Sequence, residues 1–220
     1  MFQDRSAAAR ILAQKLLPYK NQKNVLILAI PRGGLVLGNI LAKKLGALLD
    51  IMLTKKIGYP GEPEAAIGAV SLTGHHIEES FSISSDYIQS QVKDIQALLK
   101  KRYKEYLGTR KPYPVKEKII IMVDDGVATG STILEAIEVL RKEKPRKIIV
   151  AIPVGPQEVV AALRQKADEV ICLQEEPSGM FFAIGSFYRQ FEQVSDEEAK
   201  RLLKEVEESS KRQKKRSGRG

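Results

Sequence analysis

At 220 residues and 43% apolar content, the chain has the size of one α/β domain with an elaboration and ample material for a packed core. Its formal charge is +9, but six Lys and Arg residues fall in Lys211–Gly220, which has no acid, so the remaining +3 argues against a nucleic-acid-binding body. The single cysteine, Cys172, excludes an intramolecular disulfide framework and fits a reducing cytoplasm, and the absence of a secretory signal or long apolar segment argues against export and membrane spanning.

Phe2–Leu17 reads as a helix opened by Asp4 as N-cap, with Ala8, Ile11, Leu12 and Leu16 on its inner face. After a polar turn at Lys20–Lys23, the unbroken apolar run Val25–Ile30 predicts a strand buried on both faces. It leads through Pro31-Arg32-Gly33-Gly34 into a helix carrying Leu35, Ile40, Leu41 and Leu45. Leu48–Thr54 is the next strand. The Pro and Gly content of Lys55–Glu64 predicts a long irregular loop, a feature that is often functional in a compact domain. Ala65–Val70 continues as strand, and a Thr73-Gly74 turn within the alternating run Ser71–Ile77 predicts a hairpin. His75 and His76 then fall on opposite faces; with no Cys or carboxylate at metal-ligand spacing, both are expected at the surface. A long helix is expected from Ser84 or Ser85, with Ile88, Val92, Ile95, Leu99 and Tyr106 as its stripe, until Gly108–Pro114 breaks it. Hairpin and helix, about 71–115, read as an insertion between sheet strands.

Ile119–Val123 is a second strand buried on both faces, and it ends at Asp124 and Asp125. Gly126-Val127-Ala128-Thr129-Gly130-Ser131-Thr132 follows, then an amphipathic helix with Ile133, Ile137 and Leu140 turned to the core. In parallel α/β proteins this junction is where ligands bind. The first N–H groups of a helix lack internal partners and the helix dipole makes that end positive, so a phosphate there is held by amides and by the hydroxyls of Thr129, Ser131 and Thr132. Gly130 permits close approach and a positive φ. Hydrogen bonds to a charged group contribute about 1.5–3 kcal/mol each, so several converging donors fix one phosphate without a lysine. Asp124 and Asp125 would repel that phosphate but suit vicinal hydroxyls or a divalent metal. These residue types imply a sugar phosphate bearing a diol.

The stretch Ile119–Thr132 resembles the phosphoribosyl-pyrophosphate (PRPP) motif of the type I phosphoribosyltransferases: apolar strand, two acidic residues, three variable positions, then Thr-Gly-x-Thr. The resemblance implies a central, mostly parallel sheet with helices on both faces. It implies Asp124 and Asp125 on the ribose 2′- and 3′-hydroxyls and residues 126–132 around the 5′-phosphate. Arg32, Gly33 and Gly34 look like the family's pyrophosphate loop, which often contains a strained or cis peptide; Ile30–Pro31 is the bond where cis is least costly, with trans the prior. Lys55 and Lys56 are similar in kind to the cations near the start of the family's mobile lid. The implied reaction transfers the 5-phosphoribosyl group from PRPP to a nitrogenous base with release of pyrophosphate. Mg²⁺ would bridge pyrophosphate and ribose hydroxyls, with Asp124 and Asp125 meeting it directly or through water, and Arg32, Asp124 and Asp125 form the catalytic set. Ala128 stands where the 6-oxopurine enzymes carry an acid/base Asp, and it matches the adenine-type enzymes without selecting adenine. No residue offers itself as a general base. A homodimer is also implied. The reading from another class is a PRPP- or nucleotide-sensing regulator that keeps the loop without turnover.

Beyond the motif, Lys147–Ile152 is a buried strand, Pro153–Pro156 a turn, and Val159, Val160 and Leu163 the inner face of a helix. Asp168–Leu173 is a further strand, with Cys172 in its apolar run. This βαβαβ alternation predicts a parallel sheet without appeal to any family. Gln174–Val194 concentrates aromatics and looks like the family's hood, with Met180, Phe181 and Phe182 as the weakest assignment, a base pocket; core or dimer contact are the competing readings. Ser195-Asp196-Glu197-Glu198 is a capping box opening a helix with Ala199, Leu202, Leu203 and Val206 inward. Residues 1–209 are read as one domain and 210–220 as a basic tail expected to be disordered, solubilising in preference to an arm on nucleic acid.

Overall fold

The computed structural model describes residues 1–78, 83–177 and 179–217. A five-stranded parallel sheet has the order β2-β1-β6-β7-β8, from β1 (Val25–Ala29), β2 (Leu48–Ile51), β6 (Ile119–Val123), β7 (Lys147–Pro156) and β8 (Glu169–Glu176). Successive side chains of a strand point to opposite faces, and here both faces are covered, which is why β1 and β6 are apolar at every position. Ile27, Ala29, Ile121 and Val123 face the layer formed by α1 (Arg5–Lys15), α2 (Gly34–Leu45) and α6 (Asp196–Ser217). Leu26, Leu28, Ile120 and Met122 face α4 (Ser131–Lys142) and α5 (Gln157–Lys166). The α/β class with a parallel sheet and helices on both faces is therefore as the sequence implies.

The excursion between β2 and β6 differs from expectation. Lys55–Glu64 is not an irregular loop: β3 (Thr54–Tyr59) and β4 (Glu62–Ser71) pair as a hairpin around Pro60-Gly61. Pro60 presets the turn and Gly61, at φ 86°, takes the left-handed position, while Ile57 and Ile67 bury the hairpin's apolar side. Pro63 is tolerated because β5 (His75–Ile77) pairs only with Gly68–Val70, leaving the first part of β4 with a single neighbour. The Thr73-Gly74 turn into β5 is as predicted. The excursion thus begins at Thr54, before the expected 71, and continues through α3 (Ser85–Leu107). His75 is exposed, but His76 is half-buried and its Nδ1 has no hydrogen-bond partner among the described residues.

Smaller corrections have local causes. Ile11 lies 46% exposed and Ala9 takes the inward place on α1. Pro153–Pro156 is strand, not turn, since β7 runs on beside β8 past the end of β6. The region read as a disordered tail continues α6 as helical backbone to Ser217; residues 218–220 lie outside the described residues. Asn39 anchors α6 by donating from Nδ2 to the Leu202 carbonyl, 2.7 Å, and Lys43 pairs with Glu205 at 2.7 Å. Buried Asp50 collects Tyr103, Arg110 and the Tyr113 amide, tying β2 to the segment that returns from α3. Burial pushes the half-buried Cys172 thiol up to about 11. Among the described residues no helix is long and apolar enough to cross a membrane.

Candidate functional site

Sheet order places β1 beside β6, and the chain leaves them in opposite directions, to β2 on one side and β7 on the other. A crevice at the carboxyl ends of such a pair is the general ligand position in open α/β sheets. Both loops singled out in the sequence meet there. The connection after β1 contains a cis peptide at Pro31–Arg32, one bond on from Ile30–Pro31. Gly33 and Gly34 bring it against the β6 loop. A Cβ at Gly33 would overlap the Asp125 carboxylate, and one at Gly34 would lie 2.6 Å from the Val123 carbonyl oxygen. These glycines therefore also serve the close approach of the two loops.

After β6 a cleft of about 220 Å³ is lined by Asp124, Gly126, Val127, Ala128, Thr129, Gly130, Ser131, Thr132, Ile133 and Ile184. The loop is anchored on the strand extension, with the Val127 amide donating to the Val154 carbonyl at 2.9 Å. Gly130 adopts φ 74° as the residue preceding α4, the conformation a Cβ would oppose. Thr129 Oγ1 and Ser131 Oγ lie 3.2 Å apart beside the start of α4, so hydroxyls sit next to the first amides of that helix.

The two carboxylates are not equivalent. Asp124 lines the cleft, whereas Asp125, 8% exposed, does not. Asp125 Oδ2 receives Arg5 Nε at 2.7 Å, and its carbonyl receives the Tyr188 hydroxyl at 2.6 Å. The Asp125 amide donates to Asp124 Oδ1 at 2.8 Å. Burial, and then the charge of Asp125, hold the Asp124 carboxyl well above the usual carboxylate range. Burial likewise raises the Tyr188 hydroxyl, with the Asp125 charge adding to it, so this group stays a donor.

The remaining expected residues are dispersed. Arg32, a third exposed, lies 3.6 Å from Asp196 at the start of α6. Lys55 and Lys56 sit on β3 and not on a loop, with Lys56 Nζ 3.5 Å from Glu135 of α4. Phe181 is packed against Phe187, ring centres 5.3 Å apart, in a small cluster with Ala8, Val154 and Tyr188. Met180 and Phe182 remain exposed, at 65% and 88%. Ile184 is the hood residue that reaches the cleft, close enough to Gly126 that a Cβ there would come within 2.7 Å of it.

Sequence reasoning missed Arg5, Tyr188 and Ile184. Arg5 left one signal: a cation in the first turn of a helix opposes the helix dipole and asks for a partner. Tyr188 and Ile184 left none, because their places follow from tertiary packing.

A family model described as "Phosphoribosyl transferase domain" matches residues 3–192. A Mycobacterium tuberculosis protein, provisionally named as a phosphoribosyl transferase, is 36% identical over 208 residues, covering 92% of this chain and 46% of its own length. The chain therefore spans about half the length of the curated relatives it matches. The crystal structure of TT1426 from Thermus thermophilus superposes with a TM-score of 0.82 at 34% identity, covering 93% of this chain and 98% of the other.

Proposed function

Because the chain belongs to the type I phosphoribosyltransferase family, we propose that it transfers the 5-phosphoribosyl group of PRPP to a nitrogenous base. The observation that carries this is the cleft itself: a carboxylate at one end, and hydroxyls with helix-terminal amides at the other. Those two ends suit the diol and the 5′-phosphate of one ribose phosphate. The cytoplasmic setting and the homodimer implied by the sequence belong to the same proposal.

In this reading the amides of residues 126–132 hold the 5′-phosphate and Asp124 accepts from the ribose hydroxyls. The bond from C1 to the diphosphate oxygen breaks with its electron pair leaving on pyrophosphate. The base nitrogen bonds to C1 and gives its proton to solvent. Arg32, whose ion pair among the described residues is the loose and partly exposed contact with Asp196, is available to turn to the departing diphosphate. Ile184, which lines the cleft beside Gly126, shields it from water, which would otherwise capture the developing cation.

Among the described residues no three His, Cys, Asp or Glu side chains converge into a metal cage. Asp124 is the one carboxylate lining the cleft, and Mg²⁺, which takes one or two carboxylates and completes its shell with water and substrate phosphates, would find the protein's share there. When bound, the ion would neutralise charge on the leaving diphosphate.

The test has two parts. Mg-PRPP at about a hundred times its dissociation constant should stabilise the fold by roughly 2.7 kcal/mol, and no thermal shift at any attainable concentration rejects the reading. A panel of purine and pyrimidine bases should then yield pyrophosphate release with at least one member. Tight binding without release across the panel would assign the chain to sensing instead.

A further inference from the structure

Building on the phosphoribosyl reading, we propose that Arg5 is a positioning residue: with Tyr188 it holds Asp125 out of the cleft, so that Asp124 alone meets the ribose diol.

The guanidinium is held on three sides. Nε donates to Asp125 Oδ2 at 2.7 Å, Nη1 donates to the Glu192 carbonyl at 2.7 Å, and the Phe191 ring lies beneath it with its centre 3.8 Å from Cζ. Both side chains of the ion pair are only 11% exposed, so water screens it weakly. Phe191 in turn stacks on Tyr188 at 4.9 Å, and Tyr188 donates to the Asp125 carbonyl. Asp125 is therefore gripped at its carboxylate and at its backbone by two side chains that share one aromatic support. Gly33 closes the opposite side, leaving no room for the carboxylate to swing toward the β1 loop.

The route to the ligand is short. The Asp125 amide donates to Asp124 Oδ1, so the orientation of the Asp125 peptide sets that of the cleft-facing carboxylate. Arg5 also occupies a helix position where a cation works against the dipole, a cost that the pair with Asp125 offsets. Without Arg5, Asp125 would be a buried charge facing a second carboxylate with no counter-ion, and the acidic pair would rearrange. The phosphate end of the cleft, made of loop amides and hydroxyls, does not depend on Arg5.

This separation supplies the test. Ribose 5-phosphate and inorganic phosphate are titrated calorimetrically into the wild type, Arg5→Met and Arg5→Lys. Arg5→Met should lose at least about tenfold in affinity for ribose 5-phosphate, with phosphate affinity unchanged within about twofold. Arg5→Lys keeps the charge but gives up the Glu192 carbonyl, so it should show a smaller loss confined to ribose 5-phosphate. Equal losses for both ligands mean that Arg5 only holds the fold together, and they overturn the proposal. So does unchanged affinity for ribose 5-phosphate in a wild type that binds it, while the phosphoribosyl reading survives. A wild type that binds neither ligand removes that reading and this one with it. If Arg5→Met does not fold, the selectivity of Arg5→Lys decides by the same criteria.

Discussion

The floor of the cleft comes from one contiguous run, Asp124–Ile133, whereas the wall around Ile184 is held by contacts that join both ends of the chain. In the wall, Phe2 exchanges backbone hydrogen bonds with Phe187 and Arg189, Arg5 reaches Asp125, and Ile184 leans over Gly126. The floor is held by a fully buried strand and by the helix that follows it. The wall is held by a small aromatic cluster and a few long-range polar contacts. Floor and wall therefore differ in what fixes them, core packing in one and a handful of specific bonds in the other. Mutation should separate the two.

The largest effect belongs to the floor's support. Ile121 is fully buried in the centre of the sheet, and Ile121→Ala should cost about 2–5 kcal/mol in denaturant unfolding. A loss below 1 kcal/mol would mean that the sheet relaxes around the cavity and does not rigidly support the loop.

Next is the ligand-facing carboxylate. Asp124→Asn should lower PRPP-dependent pyrophosphate release by about a hundredfold, or roughly 2.7 kcal/mol. It should also raise the Tm of the ligand-free protein. The folded state holds the Asp124 proton to higher pH than the unfolded chain, whose carboxyl titrates near 3.8. Wild-type stability therefore falls as pH rises from that value up through the raised one. The Asn variant lacks this loss, so its Tm advantage should grow as pH rises above the unfolded-state value of about 3.8. A Tm advantage independent of pH would show that the gain is not electrostatic.

In the wall, Tyr188→Phe removes one buried hydrogen bond and leaves the Asp125 carbonyl without its donor. The expected cost is about 1 kcal/mol. If the variant matches the wild type in stability, the carbonyl has found another partner and the grip on Asp125 is looser than the geometry implies. Phe182→Ala should change stability by less than about 0.5 kcal/mol, since the ring is 88% exposed. A raised KM for the acceptor base with stability unchanged would place Phe182 in the base pocket.

The same contrast explains what could be read in advance. The parallel sheet was legible because strands covered on both faces must be apolar at every position, as Val25–Ala29 and Ile119–Val123 are. The floor was legible because Asp124–Thr132 carries its chemistry in local order. The Asp125 clamp was not, because its donor lies 120 residues away and no local rule pairs them. Lys55–Glu64 was misread for a different reason: Pro60-Gly61 was weighed as a sign of irregularity when it makes a tight turn, and buried Ile57 and Ile67 carried the strand signal. Phe181 resisted assignment because an aromatic-rich stretch fits core and binding surface equally well until its neighbours are known.

Cys172 has a practical use. Its sulfur, half-buried and bonded to the Gln174 carbonyl, gives up its proton only at about pH 11, so thiol-directed dyes applied near neutrality would leave it unmodified. A second cysteine introduced at the exposed position of Phe182 would be the reactive one. A fluorophore attached there would report whether the wall moves when PRPP is added, with no need to engineer the native thiol away.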